Sequence, residues 1–165
     1  MSIAKYIKEI GRGKQSARSL TREQAADLFG QVLDGSVTDL EIGGFCLAMR
    51  IKGETAQEMA GFLDATYLRL QQVPAGEQPL VVIPSYNGAR KLPVLTPLLA
   101  FLLARAGCPV LVHGAASEST RVFTSSVLEA LEVKALTSIG AVPDATVVFA
   151  PTALLCPGLQ RLLEV

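Results

Sequence analysis

Tryptophan is absent from this sequence and aromatic residues make up only 5% of it, so any core must be built from aliphatic side chains. Half of the residues are apolar and 18% are charged, the balance of an ordinary globular protein. There is one histidine, His113, and the cysteines Cys46, Cys108 and Cys156 are widely spaced with no CxxC pair. A Cys/His metal site is thereby excluded, and single thiols among apolar neighbours fit burial in a reducing compartment. No apolar run approaches the ~20 residues that span a bilayer, and the basic N-terminal stretch lacks the apolar segment of a secretion signal. A cytoplasmic protein with no membrane partner is expected. At 165 residues there is room for one domain or two small ones.

Net charge is also missing, but only in total. Residues 1–22 carry six cations against Glu9, while residues 23–70 carry eight acids against Arg50, Lys52 and Arg69. A basic front segment containing Arg12, Lys14 and Arg18 beside an acidic module suits a polyanionic partner, and equally a solvated amphipathic helix and loop.

What is present first is punctuation for helices. Thr21 with Gln24, Thr38 with Glu41, and Thr55 with Glu58 fit the capping box, in which both side chains satisfy free N–H groups at a helix start. Gly35 and Gly53 follow two of the runs and suit left-handed C-caps. The spacing predicts helices over 22–33, 39–52 and 56–71, with a shorter one over 3–10. Leu40, Gly43, Gly44, Leu47 and Ile51 share a face of the third helix in the chain. Its two glycines sacrifice about 1 kcal/mol each in propensity, which implies close packing by a neighbouring helix or a second subunit.

After a Pro/Gly-containing linker at 74–79 the rhythm changes. Short apolar runs at 80–83, 109–112 and 146–150 read as strands covered on both faces, alternating with helices over 93–106, 121–131 and 157–164. Alternation of this kind implies α/β architecture with a mainly parallel sheet and ligands bound beyond the C-terminal strand ends. Two loops lie there, 84–91 (PSYNGARK) and 113–121 (HGAASESTR). Small and hydroxyl residues followed by cations at a helix start favour phosphate. The candidate ligand residues are Ser85, Tyr86, Asn87, Gly88, Thr96, His113, Gly114 and Ser117, with Arg90, Lys91 and Arg121 as phosphate-facing cations. Each has a plainer reading: His113 as a strand-end residue satisfied by backbone, Tyr86 as a partly buried loop residue, Asn87-Gly88 as a turn. Neither loop matches GxGxxG or GxxxxGK[ST], and no nucleophile or carboxylate pair stands at a strand end, so no catalytic residue is named.

The segments IKEIGRGKQSAR (7–18), LEIGGFCLAMRIKGET (40–55), VIPSYNGARK (82–91), LTPLLAFLLARAGCPVLVHG (95–114) and TRVFTSSVLEAL (120–131) carry a resemblance. They resemble the anthranilate phosphoribosyltransferase-like family (glycosyltransferase family 3, nucleoside-phosphorylase-type phosphoribosyltransferases), in its YbiB-like branch. The resemblance implies a small helical bundle over 1–73, the linker 74–79, and part of an α/β phosphoribosyltransferase-like domain over 80–165. Family members are longer, so this chain is expected to be the front part of such a protein. The family grips phosphoribosyl diphosphate with GTGGD, NxST and KHGN motifs. Here the first aligns with Ile83, Pro84, Ser85, Tyr86 and Asn87, the second keeps only Thr96, and the third keeps His113 and Gly114. Loss of the lysine alone removes a charge-assisted contact of ~3 kcal/mol, about a hundredfold in rate.

Efficient anthranilate transfer is therefore not expected. DNA or RNA binding is expected instead, through Arg12, Lys14 and Arg18 of the basic front segment and Arg90, Lys91 and Arg121 at the phosphate-suited helix starts; the resemblance adds weight, because this branch is associated with such binding. The alternative is transfer from phosphoribosyl diphosphate to another acceptor. Homodimerisation through the helical module is expected with either. No cofactor is identified, and magnesium is expected only if residues outside this chain supply carboxylates.

Overall fold

The computed structural model describes residues 2–13, 15–74, 76–86, 88–89, 93–115 and 121–163. Its elements run α1 (Ala4–Ile10), α2 (Arg22–Leu33), α3 (Asp39–Lys52), α4 (Ala56–Tyr67), β1 (Val81–Pro84), α5 (Thr96–Arg105), β2 (Val110–Gly114), α6 (Thr124–Ala130), β3 (Val147–Pro151), α7 (Thr152–Leu155) and α8 (Pro157–Leu162). The chain folds as two compact units, Met1–Leu70 with Cys156–Val165, and Gln71–Leu155. No described helix is long and apolar enough to cross a membrane.

In the helical unit all three capping boxes form as read, with both reciprocal hydrogen bonds at Thr21/Gln24, Thr38/Glu41 and Thr55/Glu58. Gly53 and Gly35 take positive φ of 82° and 69° at or just past helix ends, a region that side-chain-bearing residues avoid. The predicted 56–71 helix stops at Tyr67, because Arg69 turns to bind Asp34 and the Ala65 carbonyl. The core joins Ile3, Ile10, Leu28, Val32 and Met49 to three rings, Phe29, Phe45 and Phe62, with centroids 5.1–6.3 Å apart.

Within the chain, close helix packing falls on Gly61, where a Cβ would stand 2.2 Å from the Arg22 carbonyl oxygen and 2.8 Å from Ala25 Cβ. No neighbouring helix of this chain closes on Gly43 and Gly44: a Cβ on Gly43 would meet nothing within 4 Å, and one on Gly44 would make ordinary contact with Ile7, which leaves a second subunit as the reading for that face. One reading is corrected here, the placing of the terminal helix in the α/β domain. It belongs to the helical unit: Arg161 donates to the Val32 and Leu33 carbonyls at the end of α2, and Leu162 packs on the core.

Glu41 does more than cap α3. It accepts from the Ser2 hydroxyl at 2.6 Å and the Ile3 N–H at 3.2 Å, pinning the start of α1. The Ser2 hydroxyl and then the Thr38 backbone N–H lower its pKa from 4.5 to about 2. A carboxyl with a depressed folded pKa contributes stability fully above its unfolded value and loses it as pH falls through the folded one. Stability is thus expected to decline from pH 4.5 towards about 2, and less steeply in Glu41→Gln, as followed by circular dichroism in an acid titration.

The second unit carries a three-stranded, wholly parallel sheet in the order β1-β2-β3. Val81 pairs with Val110 and Pro84 with His113, and on the other side Val110 pairs with Val147 and Gly114 with Pro151. Central β2 is buried along most of its length, as its unbroken Val-Leu-Val run requires. Val110, Val112, Phe149, Ala100, Ala104 and Leu128 form the core beneath α5 and α6. Both helices begin later than their apolar pattern suggests. Pro97 in the first turn sets the start of α5, and before α6 an antiparallel bridge between Ala89 and Val122 holds the chain extended. The four-residue α7 was not anticipated.

Candidate binding site at the strand ends

The parallel register brings the C-terminal ends of β1 and β2 side by side, and with them four of the candidate residues. The Ser85 N–H donates to the His113 carbonyl at 2.7 Å. Gly114 lies so close to this turn that a Cβ there would stand 1.9 Å from the Ser85 carbonyl oxygen. Only a residue without a side chain fits, which is why the strand ends with His-Gly. The Ser85 hydroxyl is not presented outward. It shares a 2.6 Å hydrogen bond with the Thr124 hydroxyl, and both residues are buried.

The next residue does reach the surface. Tyr86 is 37% exposed, and its hydroxyl lies 3.1 Å from His113 Nδ1. The two rings meet edge to face, with centroids 5.5 Å apart and planes at 79°. Burial lowers the His113 pKa from 6.5, so the imidazole is neutral at neutral pH. The edge therefore offers a fixed phenol–imidazole pair rather than a cation at this point.

At Ala89 the chain is stitched to Val122. Ala89 and Val122 exchange N–H···O bonds of 2.9 and 3.0 Å. Gly88 sits against the same segment, where a Cβ would meet Arg121 Cβ at 2.6 Å and the Val122 carbonyl oxygen at 2.9 Å. Gly88 is thus a close-approach position, and Arg121 is half-buried beside it. Thr96 opens α5 and makes no hydrogen bond with the Ser85–Tyr86–His113 group among the described residues. At the third strand end, Thr152 is buried with its hydroxyl unpartnered among the described residues. Asn87, Arg90, Lys91, Ser117 and Lys14 lie outside the described residues.

Arg12 and Arg18 belong to the helical unit and pair there with Glu9, at 2.7 and 3.6 Å. Lys5 lies 3.9 Å from Asp27, and Arg22 holds Asp64 through two nitrogens. Much of the basic front segment is therefore matched locally by acids. Residues that sequence reasoning missed are Thr124, Thr152 and the pairing of Tyr86 with His113. The first two carry no local signal beyond a hydroxyl at a helix start, and the third is a contact across 27 positions.

Residues 4–67 match the glycosyl transferase family helical bundle domain. The chain is 44% identical over 169 residues to YbiB of Escherichia coli (strain K12), covering 99% of this chain and 53% of that protein. It is 34% identical over 129 residues to anthranilate phosphoribosyltransferase of Beijerinckia indica, covering 78% of this chain and 36% of that enzyme. The crystal structure of anthranilate phosphoribosyltransferase from Thermus thermophilus superposes with a TM-score of 0.75 at 22% identity, over 94% of this chain and 47% of that one. The chain spans about half the length of YbiB and less of the other relatives it matches.

Proposed function

Because the chain belongs to the anthranilate phosphoribosyltransferase-like family, we propose that its strand-end edge binds a phosphorylated ribosyl group as part of a glycosyl-transfer site. The observation that supports this most directly is the junction of Ser85, Tyr86, His113 and Gly114 at the C-terminal ends of adjacent parallel strands, where open α/β sheets bind ligands. The unpartnered Thr152 hydroxyl at the neighbouring strand end adds support, since buried polar atoms without partners often mark a place for a bound group. The described residues do not fit magnesium. A hard cation takes oxygen ligands, chiefly carboxylates, whereas this edge presents a phenol, an imidazole and an internally bonded serine, and no metal-binding group of three His, Cys, Asp or Glu occurs among the described residues. The test is a titration with ribose 5-phosphate followed by phosphorus NMR and by the imidazole resonances of His113, the single histidine. Saturable shifts in both are expected. Unmoved spectra at millimolar ligand would dismiss the reading.

Nucleic-acid binding by a catalytically degenerate member is the second reading, and one observation favours it. The Arg18–Glu9 and Lys5–Asp27 pairs are long, and the cations' side chains are 72% and 67% exposed. Such pairs contribute little, so phosphates could displace the carboxylates. On single strands each phosphate contact adds about 0.7 to the slope of log affinity against log salt. Replacing Lys5 and Arg18 together by alanine is expected to lower that slope by about 1.4 in fluorescence titrations with single-stranded DNA. An unchanged slope removes these residues from any such interface.

Self-association through the helical unit accompanies either reading, within a cytoplasmic protein. Leu40, Leu47 and Ile51 are exposed on α3, and the space beside Gly43 is open. Light scattering is expected to show a dimer that Leu47→Glu converts to monomer. A monomeric parent at high concentration rejects the surface.

A further inference from the structure

We propose that the outer face of α5 and the open edge of β1 form a docking surface for a second α/β polypeptide, equivalent to the half of YbiB that this chain does not match. A strand of that polypeptide pairs with β1, and one of its helices packs on α5.

The apolar side chains of α5 are arranged in reverse for a surface helix. Pro97, Ala100 and Ala104 turn into the core of their own unit, while Leu95, Leu98, Leu99 and Leu102 are 64, 56, 50 and 55% exposed. The spacing of these leucines, i, i+3, i+4 and i+7, makes them one stripe. No charged residue occurs from 93 to 104. A helix that is apolar all round belongs in an interior, and this one is covered on one side only. Val81 and Ile83, which pack on the same core, are themselves only half-buried.

The sheet is open at one edge. Val81 and Ser85 donate their N–H groups to Pro109 and His113 on the β2 side. Alternation along the strand then turns the Val82 N–H and carbonyl outward, where no described residue pairs with them. The far edge, at β3, is already met by Ala135, which bridges Phe149. Topology selects the same edge. The run β1-α5-β2-α6-β3 is one half of a doubly wound sheet, whose second half begins on the free side of the first strand.

The relatives identify the occupant. This chain spans 53% of YbiB and 47% of the Thermus thermophilus enzyme, so each of those proteins carries a further segment of comparable size. A second copy of this chain fits the edge poorly. Two antiparallel β1 strands centred on Val82 would set each Pro84, which has no N–H, opposite a Leu80, and a four-residue strand would lose a hydrogen bond at both ends.

The experiment co-expresses the tagged chain with the unmatched half of YbiB and compares amide exchange by NMR in the chain alone and in the purified pair. An equimolar pair is expected, with exchange at Val82 slowed by about tenfold or more. Leu98→Asp combined with Leu102→Asp should abolish the pair while circular dichroism stays that of the parent, and Leu47→Glu on α3 should leave the pair intact. Should the double variant unfold, Val82 exchange in the parent pair decides. The proposal is overturned if no pair purifies, if a folded double variant still pairs, or if Val82 exchanges equally fast in the pair. Slow Val82 exchange in the chain alone at high concentration overturns it too, in favour of a second copy. None of these readouts involves a phosphorylated ligand, so the reading of the strand ends is tested separately.

Discussion

Replacing Glu58 by alanine is expected to cost about 3–5 kcal/mol of stability, because it breaks a buried ion pair by removing one partner. Glu58 is fully buried, and its carboxylate meets Lys52 Nζ at 2.7 Å, with 7% of the lysine side chain exposed. The same carboxylate accepts from the Leu20 N–H at 2.9 Å and from the Thr55 N–H and hydroxyl, each at 2.9 Å. Burial pushes its pKa up, but Lys52 and the Leu20 and Thr55 donors together outweigh this and leave it below 4.5. Truncation would strand the Lys52 charge and the buried Leu20 N–H at once, and water cannot easily reach either. Glu58→Gln keeps the acceptor and is expected to cost less than half as much. Replacing Lys52 and Glu58 together by Met and Leu should recover only the share due to the stranded Lys52 charge, because the buried Leu20 N–H still lacks its acceptor. Urea denaturation of the variants checks the ordering. A loss below about 1 kcal/mol in Glu58→Ala would show that the pair is not closed to water.

That pair shows how far the sequence carries and where it stops. Thr55 and Glu58 are legible as a capping box because the motif is local, and so are the starts of α2 and α3. The further duties of Glu58, to Leu20 and Lys52, join separate parts of the helical unit and leave no periodic trace. The same division explains the glycines. A helical glycine is visible in sequence, but whether a neighbour occupies its missing side chain depends on where another helix crosses. That crossing falls at Gly61.

In the α/β unit, the alternation of apolar runs with helices indicated the parallel sheet and placed His113 and Gly114 at a strand end, within one or two residues of the observed bounds. The start of α6 was misplaced because Val122 is held by Ala89, more than thirty positions earlier. The Ser85–Thr124 bond spans 39 positions and is equally silent. Sequence therefore indicated which strand ends lie side by side. It did not indicate that the Ser85 and Tyr86 hydroxyls there are already bonded, to Thr124 and to His113.

Gly114 offers the sharpest test of that edge. An alanine there would place Cβ 1.9 Å from the Ser85 carbonyl oxygen and 2.6 Å from its carbon, both backbone atoms. A flexible side chain could swing aside, but Ser85 is tied to the strand pairing through its own N–H on His113. Relief requires separating β1 from β2 at their ends, and the loss is expected near the upper end of overpacking costs, about 3 kcal/mol. Gly107→Ala provides the contrast. It meets no atom within 4 Å but demands a φ of +95°, so its cost is backbone strain of about 1–2 kcal/mol. Urea unfolding separates the two by magnitude, and ribose 5-phosphate titration separates them by kind. The Gly114 variant should lose binding even under conditions where it remains folded, whereas the Gly107 variant should bind as the parent does. If Gly114→Ala is tolerated within about 1 kcal/mol and still binds, the strand ends are not held in contact, and the ligand edge built on that contact is not the one the protein uses.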